Sequence, residues 1–306
     1  MRLLVTGAGG FVCRSIIAEL VFHPAYEIIA LDRAFDAELV QRWAGKVEMI
    51  TGNVDAETLS DIEFDAYIHG AALTASAQES GMTPIANLRA NLDPVLAIIE
   101  AAGPDKRGIL ISSDAAFRET RGPIDDSVVP VPLGLYATAK RTIESLVDTL
   151  RTLHGYNLTV IRFGNVFGPE EKVRDTRPRI SRVGRYISEA LTTGTIMVDA
   201  PDETHGWTFA PDIGRAVHTM LHETWNHPLY NVASGEVMTN IEAAEVVKQV
   251  VPGTQITAVN EPSPPHPRQG HLVSDCLCDD IGFDTWTPFA EGVAQIIRAS
   301  QTEQPS

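Results

Sequence analysis

The sequence predicts an α/β chain with a doubly wound, mostly parallel sheet and a smaller C-terminal α/β lobe that binds substrate. Three observations predict it. An apolar run at Arg2–Val5 passes through Gly7–Gly10 into a helically spaced pattern, Phe11–Phe22. Short apolar runs then alternate with helical patterns as far as Phe163, as crossover connections require. Beyond Gly168 that alternation loosens.

The elements follow in order. Val12, Ile16, Ala18 and Leu20 recur at helical spacing, and Glu27–Leu31 reads as the second strand, ending at Asp32. A short helix is expected near Ala37–Trp43, a strand at Val47–Ile50 leading into Gly52-Asn-Val-Asp55, and another at Ala66–His69 opening into Gly70-Ala-Ala-Leu-Thr74. A long helix from about Pro84 to Ala102 precedes the strand Gly108–Ile111, and one from about Gly134 to His154 precedes Leu158–Phe163. Thereafter come an arginine-rich stretch (Lys172, Arg174, Arg177, Arg179, Arg182, Arg185), a helix near Ile180–Thr192 and a strand near Thr195–Val198. Pro262-Ser-Pro-Pro-His-Pro267 reads as a stiff irregular connection, and Gln301–Ser306 as a frayed tail. The organisation expected is residues 1–168 for a dinucleotide, with a returning segment near 207–235, and residues 169–306 mainly for substrate.

The first strand-turn-helix is a dinucleotide signature of the Rossmann type. Gly7 takes backbone angles closed to other residues, Gly10 lets the chain approach a pyrophosphate, and the helix N-terminus offers unpaired N–H groups. Asp32, at the end of the second strand, is placed to bind the adenosine ribose hydroxyls. The third glycine of such turns is replaced by Cys13, a change expected to affect helix packing and leave phosphate contact intact.

Bulk properties exclude several classes. Net charge is −16 over 306 residues, against nucleic acid as a general partner, and no apolar run approaches a membrane span. Met1 leads straight into the first strand, and a cytoplasmic location is expected. Cys13, Cys276 and Cys278 form neither a disulfide framework nor a zinc-spaced set, so no metal is expected.

Tyr136-Ala-Thr-Ala-Lys140 begins a predicted helix, and four-residue spacing puts both side chains on one face. A lysine cation there is expected to lower the tyrosine pKa, and the phenol can then exchange a proton with a substrate hydroxyl while hydride moves. Ser112-Ser113 ends the preceding strand, at the edge where open parallel sheets place ligands. A solvent-facing pair is the duller reading of the spacing.

At these residues the chain resembles the extended short-chain dehydrogenases/reductases of the NAD-dependent epimerase/dehydratase family. The landmarks run from Met1 to about Gly282: Thr6-Gly-Ala-Gly-Gly-Phe-Val12, Leu31-Asp32, Gly52-Asn-Val-Asp55, His69-Gly-Ala-Ala72, Asn91, Ser112-Ser113, Tyr136-x-x-x-Lys140, Arg162-Phe-Gly-Asn-Val-Phe-Gly-Pro169 and Tyr230-Asn-Val-Ala-Ser-Gly235. The resemblance implies that Gly7, Gly10, Phe11 and Val12 hold the pyrophosphate, Asp32 the ribose, Asn53 and Val54 the adenine, and Ala71 and Ala72 the inner half of the cofactor. Asn91, Ser112 and Phe163 complete the cofactor set. Ser113 polarises the substrate oxygen, Tyr136 is the acid/base, and Lys140 anchors the nicotinamide ribose. Thr74, Ser113, Asp114, Asn165 and Arg268 are implied to meet substrate. Asp32 favours NAD over NADP, although Arg33 beside it is able to accommodate a 2′-phosphate. A homodimer through the helices from Pro84 and Gly134 is implied as well.

Three departures bear on substrate. Where sugar-nucleotide epimerases carry a diphosphate-gripping arginine, this chain has His205-Gly206, although Arg268 before Gln269-Gly270 is another candidate for an anionic group. The Asp-Glu pair of the resembling 4,6-dehydratases is Asp114-Ala115, which disfavours elimination of water; Asp114 then binds a substrate hydroxyl or caps the strand end. Phe117-Arg118 replaces Tyr-Gly, and Arg118 with the arginines up to Arg185 either favours a carboxylate-bearing sugar acid or is a solvated charge run. The expected function is therefore an NAD-dependent oxidoreductase acting at a secondary hydroxyl of a carbohydrate, as a dehydrogenase or an epimerase. A UDP-sugar 4-epimerase with tightly held NAD and a non-catalytic dinucleotide sensor are the alternatives.

Overall fold

The computed structural model describes residues 1–117, 122–259 and 270–302. Arg118, Arg268 and Pro262–Pro267 lie outside the described residues.

Seven strands form the large sheet: β1 (Arg2–Thr6), β2 (Glu27–Asp32), β3 (Val47–Thr51), β4 (Ala66–His69), β5 (Arg107–Ser113) and, after the short β6 (Pro123–Ile124), β7 (Leu158–Phe163) with the later β11 (Leu229–Asn231). Their order is β11-β7-β5-β4-β1-β2-β3, and every pairing is parallel. The order reverses between β1 and β4, so the crevice at that switch point opens where the glycine turn leaves β1.

Alternation along β1 sorts the core into two layers. Leu3 and Val5 face α1 (Phe11–Leu20) and α7 (Ala210–His222), where Ile16, Ile213 and Val217 are fully buried. Leu4 faces the opposite layer with Ile98 of α4 (Pro84–Ala102) and Ile143 and Val147 of α5 (Leu135–His154). The intervening helices α2 (Ala37–Trp43) and α3 (Ala56–Ser60) are short and capped by Asp36 and Asp55.

The C-terminal lobe has its own core. β8 (Asn165–Phe167) pairs in parallel with β10 (Thr204–Phe209), which pairs antiparallel with β12 (Val237–Thr239). β9 (Thr195–Asp199) pairs with β13 (Gln255–Val259), and β14 (His271–Leu272) with β6. Against them pack α6 (Arg182–Thr192), α8 (Asn240–Val250) and α9 (Phe289–Thr302), which bury Tyr186, Trp207, Val247 and Phe289. β11 brings the chain back to the edge of the large sheet, and α7 returns to α1.

Boundaries differ from the sequence expectation where a cap intervenes. α1 stops at Leu20, before His23-Pro24, because the residue before proline resists helical angles; Phe22 is left exposed. α6 begins at Arg182 because the Ser181 hydroxyl accepts from Gly184 N at 3.0 Å. Gln301 and Thr302, expected in the tail, continue α9.

His69 ends β4 fully inside the protein, its Nδ1 2.8 Å from the Thr6 hydroxyl, and burial pushes its pKa down to about 3. His218 on α7 is also lowered, by desolvation and by His23 and His222, with Tyr26 Oη bridging His218 and His222 at 2.9 Å each. Both groups bind protons more readily unfolded than folded. Their stabilising contribution is therefore complete above pH 6.5 and falls with pH; for the fully buried His69 the fall continues toward pH 3, by up to about 1.4 kcal/mol per pH unit. Urea melts at pH 7 and 5 should show the loss, and His69→Gln should flatten its slope.

Candidate active site

The crevice holds two adjoining cavities. The larger, about 660 Å³, is lined by Asp32, Arg33, Asn53, Val54, Ala71 and one face of α4. The smaller, about 330 Å³, is lined by Phe11, Val12, Ser113, Tyr136, Lys140 and Phe163, with Thr74, Asp114 and Asn165. Gly7 and Gly10 border both.

The turn between the cavities depends on close backbone approach. Gly7 sits at φ +69°, and a Cβ there would lie 2.5 Å from Ala71 N. Asp32 Oδ2 accepts from Gly9 N at 2.9 Å, so the carboxylate is fixed beside the turn. A cradle closed to side chains, a helix N-terminus and a carboxylate beyond it fit a dinucleotide, with the adenosine half in the larger cavity.

Cys13 packs behind this turn. It is buried, with Sγ 3.6 Å from Thr6 O, and a Cβ on Gly70 would meet that sulfur at 2.2 Å. The volume given up by the missing third glycine is thus recovered across the interface, where Gly70 has no side chain. Burial pushes the thiol up to about 12, so it is unreactive. Gly70→Ala should cost on the order of 2 kcal/mol by overpacking, and Cys13→Gly in the same chain should recover much of it. Chemical denaturation of the two single variants and the double variant checks the coupling.

Ser113, Tyr136 and Lys140 meet in the smaller cavity. Tyr136 and Lys140 share one face of α5, with Lys140 Nζ 5.5 Å from the centre of the Tyr136 ring. Lys140 is 2% exposed, and Nζ donates to Ile111 O at 2.7 Å. Burial brings its pKa down to about 8, against an opposing pull from Cys13 and Glu144. The expected lowering of the tyrosine by this lysine is not what the geometry gives. Burial raises Tyr136 to about 12, while hydrogen bonding from Ser113 and the Arg177 charge pull it down and Asp114 adds to the rise. Desolvation of a phenolate costs more here than its neighbours return.

Several residues named from the sequence lie elsewhere in the arrangement. The Ser112 hydroxyl points to Glu144 Oε1 at 2.7 Å, inside a buried network where Glu144 also pairs with Arg162 at 3.0 Å. Adjacent strand residues face opposite sides, so Ser113 alone of the two reaches the cavity. Asn91 is buried in α4 and clamps Leu73, accepting from its N–H at 2.9 Å and donating to its carbonyl at 3.2 Å. It shapes the loop that walls the larger cavity. The Thr74 hydroxyl is taken up by Thr176 O at 2.9 Å.

The arginine-rich stretch is a strap across the crevice whose cations separate. Arg174 Nη2 donates to Ala34 O at 2.8 Å, and Nη1 lies 3.7 Å from Asp32, so this guanidinium covers the glycine turn. Thr176 O accepts from Thr74 N, Ala75 N and the Thr74 hydroxyl. Lys172 pairs with Glu38, Arg177 with Glu171, Arg179 with Glu79, and Arg185 with Asp199 and Glu189. Arg182 pairs with Glu203 at 3.1 Å and reaches His205 Nε2 at 3.0 Å, which brings a cation to the position where His205 replaced the expected arginine. Arg174, Arg177 and Arg182, expected from the sequence only as part of an arginine group that either favours a carboxylate-bearing sugar acid or is a solvated charge run, line the smaller cavity, and so does Trp207, for which no role was read from the sequence.

Among the described residues no helix is long and apolar enough to cross a membrane, and no group of His, Cys, Asp and Glu is arranged to hold a metal. Residues 3–233 match the NAD dependent epimerase/dehydratase family. UDP-glucuronic acid decarboxylase 6 of Arabidopsis thaliana is 25% identical over 96% of this chain and 87% of its own length. The fold is similar to that of UDP-N-acetylglucosamine 4-epimerase from Methanobrevibacter ruminantium M1, solved with UDP-N-acetylmuramic acid: TM-score 0.86, 21% identity, 99% of this chain and 99% of that one. It is also similar to UDP-glucuronic acid 4-epimerase from Bacillus cereus, solved with NAD: TM-score 0.81, 18% identity, 98% of this chain and 99% of that one.

Proposed function

Because the chain belongs to the NAD dependent epimerase/dehydratase family, we propose that it transfers hydride at a secondary hydroxyl or keto carbon of a carbohydrate, with NAD as cofactor. The observation that carries this reading is the meeting of Ser113, Tyr136 and Lys140 in the smaller cavity, against the glycine turn. NAD, when bound, supplies the hydride acceptor.

The chain's own residues handle the proton and the oxygen. Burial raises Tyr136 to about 12, so at neutral pH it rests as a neutral phenol, the form that gives its proton to a carbonyl oxygen in the reducing direction; in the oxidising direction it first releases that proton to solvent, and the phenolate then takes the proton of the carbinol as hydride leaves. Ser113 orients that oxygen beside the phenol. Lys140, held by Ile111 O, is the residue for the nicotinamide ribose, and Phe163 covers the same end. Gly7, Gly10, Phe11 and Val12 take the pyrophosphate, Asp32 the adenosine ribose, and Asn53, Val54, Ala71 and Ala72 the adenine and inner walls. Asp114 addresses a substrate hydroxyl, and Asn165 meets the substrate as well. Ala115 follows Asp114 where elimination calls for a glutamate, which favours reversible oxidation over loss of water.

The division of labour follows the two lobes, residues 1–168 for the cofactor and 169–306 mainly for substrate, except that Arg174 and Thr176 wall both cavities. We place the enzyme in the cytoplasm as a homodimer through α4 and α5. Ile85 and Leu96 on α4 and Leu153 on α5 are exposed apolar residues that such an interface would cover. Light scattering at the monomer mass would remove the dimer. The function is tested by incubating the purified protein with NAD and a panel of sugars, sugar acids and UDP-sugars while following the absorbance of NADH. Net NADH identifies a dehydrogenase. A changed sugar without NADH identifies an epimerase, and an unchanged panel overturns the reading.

A further inference from the structure

The smaller cavity collects buried N–H donors that no protein acceptor satisfies. Arg177 Nη1, Asn165 Nδ2 and Trp207 Nε1 are all buried without a partner, and all three residues line this cavity. The fold sets two of them side by side, since Asn165 on β8 is the register partner of Trp207 on β10. Arg177 reaches the cavity from the strap, with its guanidinium 4.8 Å over the Phe11 ring and its other arm on Glu171. A buried donor left unpaired is destabilising, because it has lost water and gained no acceptor. Three in one cavity mark the place of an oxygen-rich ligand.

We propose that Arg177, Asn165 and Trp207 form a seat for a substrate carboxylate, so that the carbohydrate this enzyme oxidises is a sugar acid. The inference rests on the hydride-transfer reading for the word substrate, and on the three donors for the seat. Charge selects a carboxylate over a diphosphate. Apart from Lys140, which is held on Ile111 O, the cations that line the cavity have an acid beside them: Lys172 has Glu38, Arg174 has Asp32, Arg177 has Glu171 and Arg182 has Glu203. What remains at the seat is one partly neutralised guanidinium and two neutral donors, which matches a single negative charge. Asp114 lines the same cavity and repels a carboxylate, so the acid end turns toward Arg177 and the carbinol toward Ser113 and Tyr136. Arg177 and Tyr136 line the same cavity, and the Arg177 charge draws the Tyr136 pKa down. Trp207 is 2% exposed and packs against Phe289 and His205, so its indole N–H is fixed before any ligand arrives.

The test is calorimetric binding to the NAD-saturated protein, with D-gluconate and D-glucuronate against D-glucitol and D-glucose, and UDP-glucose as a third arm. The acids should bind at least about tenfold tighter than their neutral counterparts, as a charge-assisted contact implies. Arg177→Ala should erase that preference while leaving NAD affinity within about twofold. Arg177→Lys should restore part of it, and Trp207→Phe, which keeps the ring and loses the donor, should reduce it several-fold. Equal affinity for acids and neutral sugars overturns the seat, even if neutral sugars are turned over and the hydride reading stands. So does a fall in NAD affinity in Arg177→Ala that matches the loss of acid binding, which would assign the donors to the cofactor pyrophosphate. Tighter, Arg177-dependent binding of UDP-glucose would assign them to a diphosphate and overturn it too. Arg177-dependent binding of acids that are never oxidised keeps the seat and removes the hydride reading.

Discussion

Tyr136→Phe should lower turnover by about 10²- to 10⁴-fold, the range removed with a positioned acid/base. The ring keeps its half-buried place on α5 and only the hydroxyl is lost, so NAD affinity should change by less than about twofold. A fluorescence titration of NAD alongside steady-state kinetics on whichever carbohydrate the panel identifies checks both halves. Retained turnover in this variant would remove Tyr136 from the chemistry. Lost turnover with equally lost NAD binding would mean that the phenol holds the cavity together and moves no proton.

Glu144→Ala should be the most destabilising single change near the site. Glu144 and Arg162 are each 2% exposed, and together they tie α5, β5, β7 and β11 through Ser112 and Asn231. Without Glu144 the Arg162 guanidinium loses its two direct carboxylate bonds and keeps the Asn231 side-chain oxygen at 3.2 Å and the Phe117 ring at 4.6 Å, with Asp126 as the nearby acid whose charge it feels. An uncompensated buried charge of that kind costs about 3–5 kcal/mol, which corresponds to a melting-temperature drop on the order of 10 °C. Arg162→Met should cost less, because Glu144 retains Ser112 and has Arg141 at 3.8 Å. Glu144→Leu with Arg162→Met should restore most of the loss, since an apolar pair removes both desolvation costs. Scanning calorimetry of the four proteins orders them. The milder Glu144→Gln tests the link to chemistry, because Glu144 holds the Lys140 pKa up. Its removal should move the alkaline limb of activity below pH 8.

The large sheet was legible because each strand is a short apolar run and each helix a period, and because Asp32 and Asn53 fall at strand ends. The pairing Tyr136/Lys140 was equally legible as a shared helix face. Its electrostatics were not, because four-residue spacing states who is adjacent and nothing about how much water is excluded. Ser112 and Asn91 show a second limit. Both sit at recognisable landmarks, yet one faces Glu144 and the other the backbone of Leu73, and the side a residue faces is settled by register and packing. The arginines show a third. Arg179 finds Glu79 and Lys172 finds Glu38, partners 100 and 134 residues away, and no local pattern announces such pairs. Arg118 and Arg268, both named from the sequence, lie outside the described residues and belong to neither side of this comparison.

The strap that joins Ala34 to Thr74 would set a clock on the cofactor. Arg174 lies across the glycine turn, and the Thr176 carbonyl takes three hydrogen bonds from the far bank, so a dinucleotide bound in the proposed cradle would have to pass those contacts to leave. An enzyme that returns its hydride to the sugar is indifferent to that delay, since one NAD serves turnover after turnover. One that discharges NADH is governed by it, with a rapid first turnover followed by a slower steady state, so a stopped-flow burst records which of the two lives this protein leads.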